Sequence, residues 1–293
     1  MFPKISIVTP SYNQGQFLED TILSVLGQFY PNLEYIIYDG GSTDNSVDIL
    51  IKYKNHLNYW ESNKDKGQSE AINKGFARST GDILMWLNSD DILMPNTLHY
   101  IAKQYLENGD GIYFGNCIHF EELSSSEVLS FGSNVIKNEK FATLELVDFI
   151  IQPSSFWSKK VWIENGMLNE NFHFGFDWEW FLRAKKNKIP FHLVSKPLSI
   201  YRIHENHKTG TGGSIRQAEL LNIYKLYSPF YFKLYELMIN EKMFSSFLEK
   251  IIKAYYLLFF KMNFSKGHYL KLVKPIKYKV YSVYEINATR SML

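Results

Sequence analysis

Cysteine is almost missing from these 293 residues: Cys117 stands alone. A single thiol excludes a disulfide framework and any multi-cysteine metal or iron–sulfur centre, so a reducing cytoplasm is the expected compartment. Long apolar runs are missing too. No stretch of ~18 apolar residues occurs, so no membrane-spanning helix is expected. The opening Met1-Phe2-Pro3-Lys4 lacks the charged and apolar regions of a signal peptide. Internal repeats and low-complexity segments are absent, and net charge is only +2. What is present is 45% hydrophobic and 21% charged residues, which suffices for a full core and excludes intrinsic disorder. At roughly 150 residues per domain, the chain holds one large domain or two smaller ones.

The small net charge is a cancellation. Residues 220–293 carry 12 Lys and Arg against 4 Asp and Glu, whereas residues 1–219 carry 20 against 26. A basic tail behind a mildly acidic body suggests contact with a polyanion or an anionic membrane surface. From Gln217 onward the pattern is helical. Phe247, Ile251, Tyr255, Leu258 and Met262 recur at helical spacing, with Lys250, Lys253 and Lys261 interleaved. Such a helix usually packs with its lysines solvated. The alternative is peripheral contact with anionic lipid, at about 1 kcal/mol per lysine. No nucleic-acid module is recognisable, so no nucleic acid is expected as a partner.

Strand and helix patterns alternate through the first 115 residues. Ile5-Ser6-Ile7-Val8 is a β-branched run stopped by Pro10, and Phe17, Leu18, Ile22, Val25 and Leu26 follow at helical spacing. Glu34 to Tyr38 reads as a second strand. Asp44 is placed to cap a helix carrying Val47, Leu50 and Tyr53. Tyr59-Trp60-Glu61 is a weak third strand, then come a helix through Ala71, Ile72 and Phe76 and an apolar strand, Ile83 to Leu87. Near-continuous apolar strands alternating with helices predict an α/β fold with a mostly parallel sheet covered on both faces. Between Asn116 and Arg216 the periodicity is less regular and aromatics are denser, with a polar loop expected over Glu121 to Ser126.

Ligands of open α/β sheets bind at the carboxyl ends of the strands. After the four strands stand Thr9-Pro10-Ser11-Tyr12-Asn13, Asp39-Gly40-Gly41-Ser42-Thr43-Asp44, Asp65-Lys66-Gly67-Gln68 and Asn88-Ser89-Asp90-Asp91. Small, polar and acidic residues thus gather at one sheet edge. Adjacent carboxylates such as Asp90 and Asp91 repel unless a cation or hydrogen bonds compensate, and a hard divalent ion is commonly held by one or two carboxylates plus phosphates. The plainer reading makes Asp91 a helix cap near Pro95.

These four motifs, with Ala71-Ile72-Asn73-Lys74-Gly75, closely resemble family 2 glycosyltransferases. The resemblance implies a GT-A fold, Rossmann-like in its nucleotide-binding half, and a mostly inverting, metal-dependent enzyme that uses nucleotide sugars. It implies that Thr9, Pro10 and Tyr12 line the base pocket, with Asn13 beside them, and that Asp39 accepts the uracil or thymine ring N–H. Gly40 and Gly41 permit close backbone approach or a positive φ in the turn, and Gly67, Gln68, Asn88 and Ser89 belong to the donor site. Asp90 becomes the ligand of Mn²⁺ or Mg²⁺, with Asp91 or His204 completing the shell. Where the family usually has Asp-x-Asp, this chain has Asn88-Ser89-Asp90, one negative charge fewer.

Gly175 to Arg183 is similar to the family's Glu-Asp-x-x-Leu-x-x-Arg helix start, with Phe176 in place of the Glu. The resemblance implies that Asp177 is the catalytic base; without it, the better reading of Asp177 is a helix N-cap, with Trp180 and Phe181 as core. Phe174, Phe176, Trp178 and Trp180 would desolvate it and raise its pKa. Gln152, Trp178 and Glu179 are the acceptor-side candidates. In Tyr201 to Lys208 the resemblance implies that His204, or alternatively His207, joins the metal, and that Arg202 and Lys208 neutralise the leaving diphosphate. The glycine-rich run Thr209 to Ser214 reads as a mobile loop.

The expectation is therefore a sugar transfer from a UDP- or dTDP-sugar to a hydroxyl of a glycan or lipid-linked acceptor. It would run at the inner membrane face or in the cytoplasm, in a surface-polysaccharide context. Residues 1–115 form the nucleotide-sugar half, 116–215 the acceptor and base half, and 216–293 a basic aromatic helical tail. Rival classes are another nucleotide-dependent transferase, which lacks a G-x-G-x-x-G after strand one, and an impaired binding or scaffold protein, favoured by Asn88 and Phe176.

Overall fold

The computed structural model describes residues 2–122, 128–132, 143–204, 208, 212–240, 278 and 280–292. The chain divides into two compact units, Met1–Phe141 with Asp148–Arg216, and Ala142–Val147 with Gln217–Leu293.

The first unit is built on a mixed sheet of nine strands among the described residues. Strands β1 (Ile5–Ser11), β2 (Leu33–Asp39), β3 (Tyr59–Ser62) and β4 (Ile83–Trp86) run parallel in the order β3-β2-β1-β4. Beyond β4 the pairings are mixed. β8 (Ser155–Ser158) is antiparallel to β4, β6 (Ile112–Glu122) is antiparallel to β8, and β9 (Phe191–Ile203) is parallel to β6. β5 (Ile92–Leu93) closes the order on β9, and β7 (Val128–Gly132) pairs with β6. The parallel half thus matches the alternating α/β reading, while the region of irregular periodicity supplies mixed pairings. Glu121, expected in a loop, ends inside β6; residues 123–126 of that segment lie outside the described residues.

Period-two alternation assigns each face of the sheet. Ile5 and Ile7 of β1, Tyr35 and Ile37 of β2, and Ile83 and Met85 of β4 face one core. Leu18, Ile22 and Val25 of α1 (Gly15–Leu26), Ile49 and Leu50 of α2 (Ser46–Tyr53), and Leu98 and Ile101 of α4 (Thr97–Asn108) cover it. On the opposite face lie α3 (Gln68–Arg78), α5 (Lys159–Asn165) and α6 (Phe176–Lys186). There Trp86, Trp157, Trp162, Trp180 and Phe76 form one aromatic cluster, with ring centroids 4.6–6.3 Å apart. Gly75 lets α3 lie directly on β1, because a Cβ there would meet Val8 Cγ1 at 2.3 Å.

Pro10 does not stop β1. The strand continues to Ser11 beside β2. Val8 turns its carbonyl toward β4, accepting from Leu87 N–H at 2.9 Å. Pro10 faces that same side two residues later, where β4 has ended, so its missing N–H costs no ladder bond.

The second unit contains the end of the helix Gly213–Tyr227, helical residues 229–240 and the helix Val283–Ser291, which opens with a Ser282–Glu285 capping box. Leu234, Met238, Tyr278, Tyr281 and Ile286 form its core. No helix among the described residues is long and apolar enough to cross a membrane. The Phe247 to Met262 stripe and its lysines lie outside the described residues, as do His207 and 209–211 of the glycine-rich run.

Candidate active site

A cleft of about 920 Å³ opens at the carboxyl ends of β1 to β4 and continues along β6, β9 and the start of α6. The strand-end loops converge there because neighbouring parallel strands deliver their successors to the same edge. Pro10 and Tyr12 line it from β1, Gly40 and Gly41 from β2, and Asp65, Gly67 and Gln68 from β3. Asn88, Ser89 and Asp90 follow from β4. Tyr12 is 62% exposed and presents an open ring.

Several residues expected at this edge hold the loops in shape and do not line the cleft. Thr9 is fully buried and its hydroxyl meets Tyr35 Oη at 3.1 Å, because alternation turns it to the Ile5–Ile7 face. Asn13, at φ 51°, accepts from Thr43 N–H at 2.8 Å and so ties the β1 loop to the β2 loop. Asp39 is 2% exposed and accepts from Gly41 N–H, Ser42 N–H, the Ser42 hydroxyl and the Ser62 hydroxyl. Its carboxylate is the internal brace of the Gly40–Gly41 turn. Asp44 does related work, accepting Ser46 N–H at the start of α2 and Gly15 N–H at the start of α1.

The two adjacent aspartates part company. Asp90 faces the cleft, and its Oδ2 stands 3.1 Å from His204 Nε2 on the residue after β9. Asp91 is 1% exposed, absent from the cleft wall, and bound by Asn88 Nδ2 at 3.1 Å. Burial and the neighbouring Asp90 push its carboxyl well above the usual carboxylate range. The expectation that Asp91 joins a metal is therefore replaced by a buried role. Asn88 also accepts from Gln68 Nε2 at 2.7 Å, and Gln68 Oε1 accepts from Lys208 Nζ at 2.9 Å. An amide at 88 bridges an acid and an amide; a carboxylate there would set a second negative charge against buried Asp91.

The Asp90–His204 pair fits a hard divalent ion. A carboxylate oxygen and an imidazole nitrogen 3.1 Å apart are two donors that would hold such an ion together. No group of three His, Cys, Asp or Glu suited to a metal occurs among the described residues. Such an ion would take its remaining positions from phosphate oxygens and water.

Asp177 lies in the first turn of α6 and lines the same cleft, with Phe174 and Phe176 beside it. Its Oδ1 accepts Trp178 N–H at 2.8 Å. Burial raises its carboxyl above the ordinary value, against the opposing pull of that N–H and of Lys208 and Arg216. Trp178 and Glu179, expected on the acceptor side, turn inward and leave the cleft: Trp178 is 1% exposed, and Glu179 forms a fork with Arg183 at 3.0 and 3.2 Å. Helical geometry explains this, since residues one and two positions after Asp177 occupy other faces. Arg202 is also turned away. Its guanidinium pairs with Asp20 at 3.0 Å and lies over Phe17. Lys208 lines the cleft with its ammonium 5.1 Å from the Phe176 ring. Gln152 lines it as well, fixed by its Nε2 on Trp86 O at 2.8 Å.

Among the cleft residues that the sequence did not single out as site residues are Asp65, His119 and Asp148. Asp65 was visible as part of the third strand-end motif; burial raises its carboxyl. His119 and Asp148 carried no signal, the first lying within a long irregular strand and the second in a stretch without periodicity.

Fold, cleft and comparisons together define the class: the chain is a glycosyltransferase. It belongs to glycosyl transferase family 2, whose model matches residues 6–164. Among curated proteins, it is 28% identical over 283 residues to the GalNAc(5)-diNAcBac-PP-undecaprenol beta-1,3-glucosyltransferase of Campylobacter jejuni, covering 94% of this chain and 85% of that protein. It is 31% identical over 121 residues to the glycosyltransferase GlyG of Streptococcus pneumoniae, covering 40% of each. Among solved structures, S. aureus TarS 1–349 in complex with UDP-GlcNAc aligns with TM-score 0.62 and 18% identity, over 76% of this chain and 65% of that one. The mannosyltransferase PcManGT of Pyrobaculum calidifontis, in complex with GDP-Man and Mn²⁺, aligns with TM-score 0.62 and 13% identity, over 100% and 85%. These structural likenesses establish the GT-A fold.

Proposed function

We propose that this glycosyltransferase moves a sugar from a UDP-sugar to a hydroxyl of a lipid-linked glycan, with inversion at the anomeric carbon. The observation that carries the reading is one cleft lined at once by Asp90, whose carboxylate meets His204 behind it, and by desolvated Asp177. The diphosphate has its partners at the first, the acceptor at the second.

In this account Tyr12 and Pro10 take the base, beside the Gly40–Gly41 turn that packs against Asp65 and Lys64. Asp90 and His204 would hold Mn²⁺ or Mg²⁺, whose charge offsets that on the departing nucleoside diphosphate. Lys208 adds a cation from the chain itself, held toward the site by Gln68. Asp177 takes the proton of the acceptor hydroxyl as its oxygen attacks the anomeric carbon opposite the leaving UDP. A single displacement ends with the proton on Asp177, the sugar on the acceptor in inverted configuration, and UDP released.

UDP is supported by the TarS complex with UDP-GlcNAc, and the lipid-linked acceptor by the undecaprenol-linked substrate in the C. jejuni protein's name. GDP-Man in PcManGT keeps a guanine nucleotide in the screen. The basic balance of residues 220–293 suits work at an anionic membrane face. The test is nucleotide release from UDP-, dTDP- and GDP-sugars with Mn²⁺ or Mg²⁺ and polyprenyl-diphosphate-linked glycans. Release with a UDP-sugar that depends on acceptor supports the reading; release with none of them rejects it.

A further inference from the structure

The acceptor end of the cleft holds a second carboxyl that the mechanism above does not use. Asp148 lines the cleft together with Asp177, and its Oδ1 is buried without a hydrogen-bond partner. Four residues later Gln152 repeats the pattern: its Nε2 is fixed on Trp86 O while its Oε1 is buried and unpartnered. A buried polar atom without a partner is destabilising. Two of them on one short segment, both on the wall of a substrate cleft, mark places where a ligand supplies the missing partners.

Resting on the reading of Asp177 as base, we propose that Asp148 and Gln152 form an acceptor subsite that grips a sugar hydroxyl next to the one Asp177 deprotonates, so that the acceptor presents a vicinal diol. Each hydroxyl can both donate and accept. Gln152 Oε1 can only accept. Asp148 supplies the complementary donor, because it carries a proton. Burial and the nearby Asp177 push its carboxyl well above the usual range, with only Ile150 N–H and Arg216 opposing. Asp177 has Trp178 N–H, Lys208 and Arg216 to favour its ionised form. The other titratable groups lining this end are His119 on β6 and Tyr201 on β9. One proton thus stays on Asp148 while Asp177 is free to take another, the division of labour expected when two carboxyls share a desolvated site.

The consequence is a basic limb. As pH rises through the pKa of Asp148, the donor is lost and a second negative charge appears beside Asp177, so kcat/KM for acceptor falls. Asp148→Asn keeps a donor of the same shape that does not titrate; Asp148→Ala removes it.

The experiment measures UDP release against pH with a panel of octyl hexosides and octyl N-acetylhexosaminides, each bearing a vicinal diol, and with analogues deoxygenated beside the reacting hydroxyl. Asp148→Ala should raise the acceptor KM about tenfold or more and leave the dissociation constant for UDP unchanged. Asp148→Asn should hold the acceptor KM within about threefold and lose the basic limb. The deoxy analogues should match the Asp148→Ala penalty on wild type and show little further loss on that variant. The proposal is overturned if Asp148→Ala keeps the wild-type acceptor KM, if Asp148→Asn retains the basic limb, or if deoxy analogues serve as well as the diols. Wild type that turns over no donor at all rejects the parent reading instead.

Discussion

The two ends of the cleft are built on different principles. The donor end is made by loops after four parallel strands, all within the first 91 residues, and its carboxylates Asp39 and Asp44 are absorbed by backbone N–H and hydroxyl groups. The acceptor end collects His119, Asp148, Gln152, Asp177 and Tyr201 from separate segments, and its carboxyls are desolvated. A hydrogen-bonded carboxylate stiffens a turn; a desolvated one is ready to hold or take a proton. In the proposed mechanism Asp39 and Asp44 serve as scaffold of the strand-end loops, while Asp90 and Asp177 act on the substrates.

Substitutions can break that contrast in order of effect. Asp177→Asn should lower transfer by about 10²–10⁴-fold with the dissociation constant for UDP unchanged, read by nucleotide release and calorimetry. Its raised carboxyl also sets a sign. The base works ionised, so activity should fall as pH drops through a pKa above the ordinary carboxylate value, an acid limb that a pH–rate profile locates. Asp90→Ala or His204→Ala should cost about 10–100-fold in donor affinity measured with Mn²⁺, and far less without it. Lys208→Ala should lower kcat/KM for donor about tenfold, whereas Arg202→Ala, whose guanidinium pairs with Asp20, should change it little. Glu179→Ala should leave both KM values alone and lose about 1 kcal/mol of stability in urea unfolding, because Arg183 loses its carboxylate but keeps the Asn165 and Met167 carbonyls.

The parallel half of the sheet was legible because apolar strands followed by small and acidic residues are a local signal. Position at the edge was legible for Pro10, Tyr12, Gly40, Gly67, Gln68 and Asp90 for the same reason. Side-chain direction was not. Thr9 turns to the helix face by strand alternation, Asp91 turns inward after Asp90, and Glu179 finds Arg183 one helical turn on. Each depends on a neighbour chosen by tertiary structure. Asp148 was invisible because its meaning comes from Asp177, 29 positions away and brought near only by folding.

The central claim, that Asp177 activates an acceptor hydroxyl for one displacement at a UDP-sugar, is tested most directly by the anomeric configuration of the product. Proton NMR of the glycan formed from an α-linked UDP-sugar should show a β-linkage, absent when Asp177→Asn replaces the wild type. An α-linked product, or β-product formed equally well by Asp177→Asn, would contradict it.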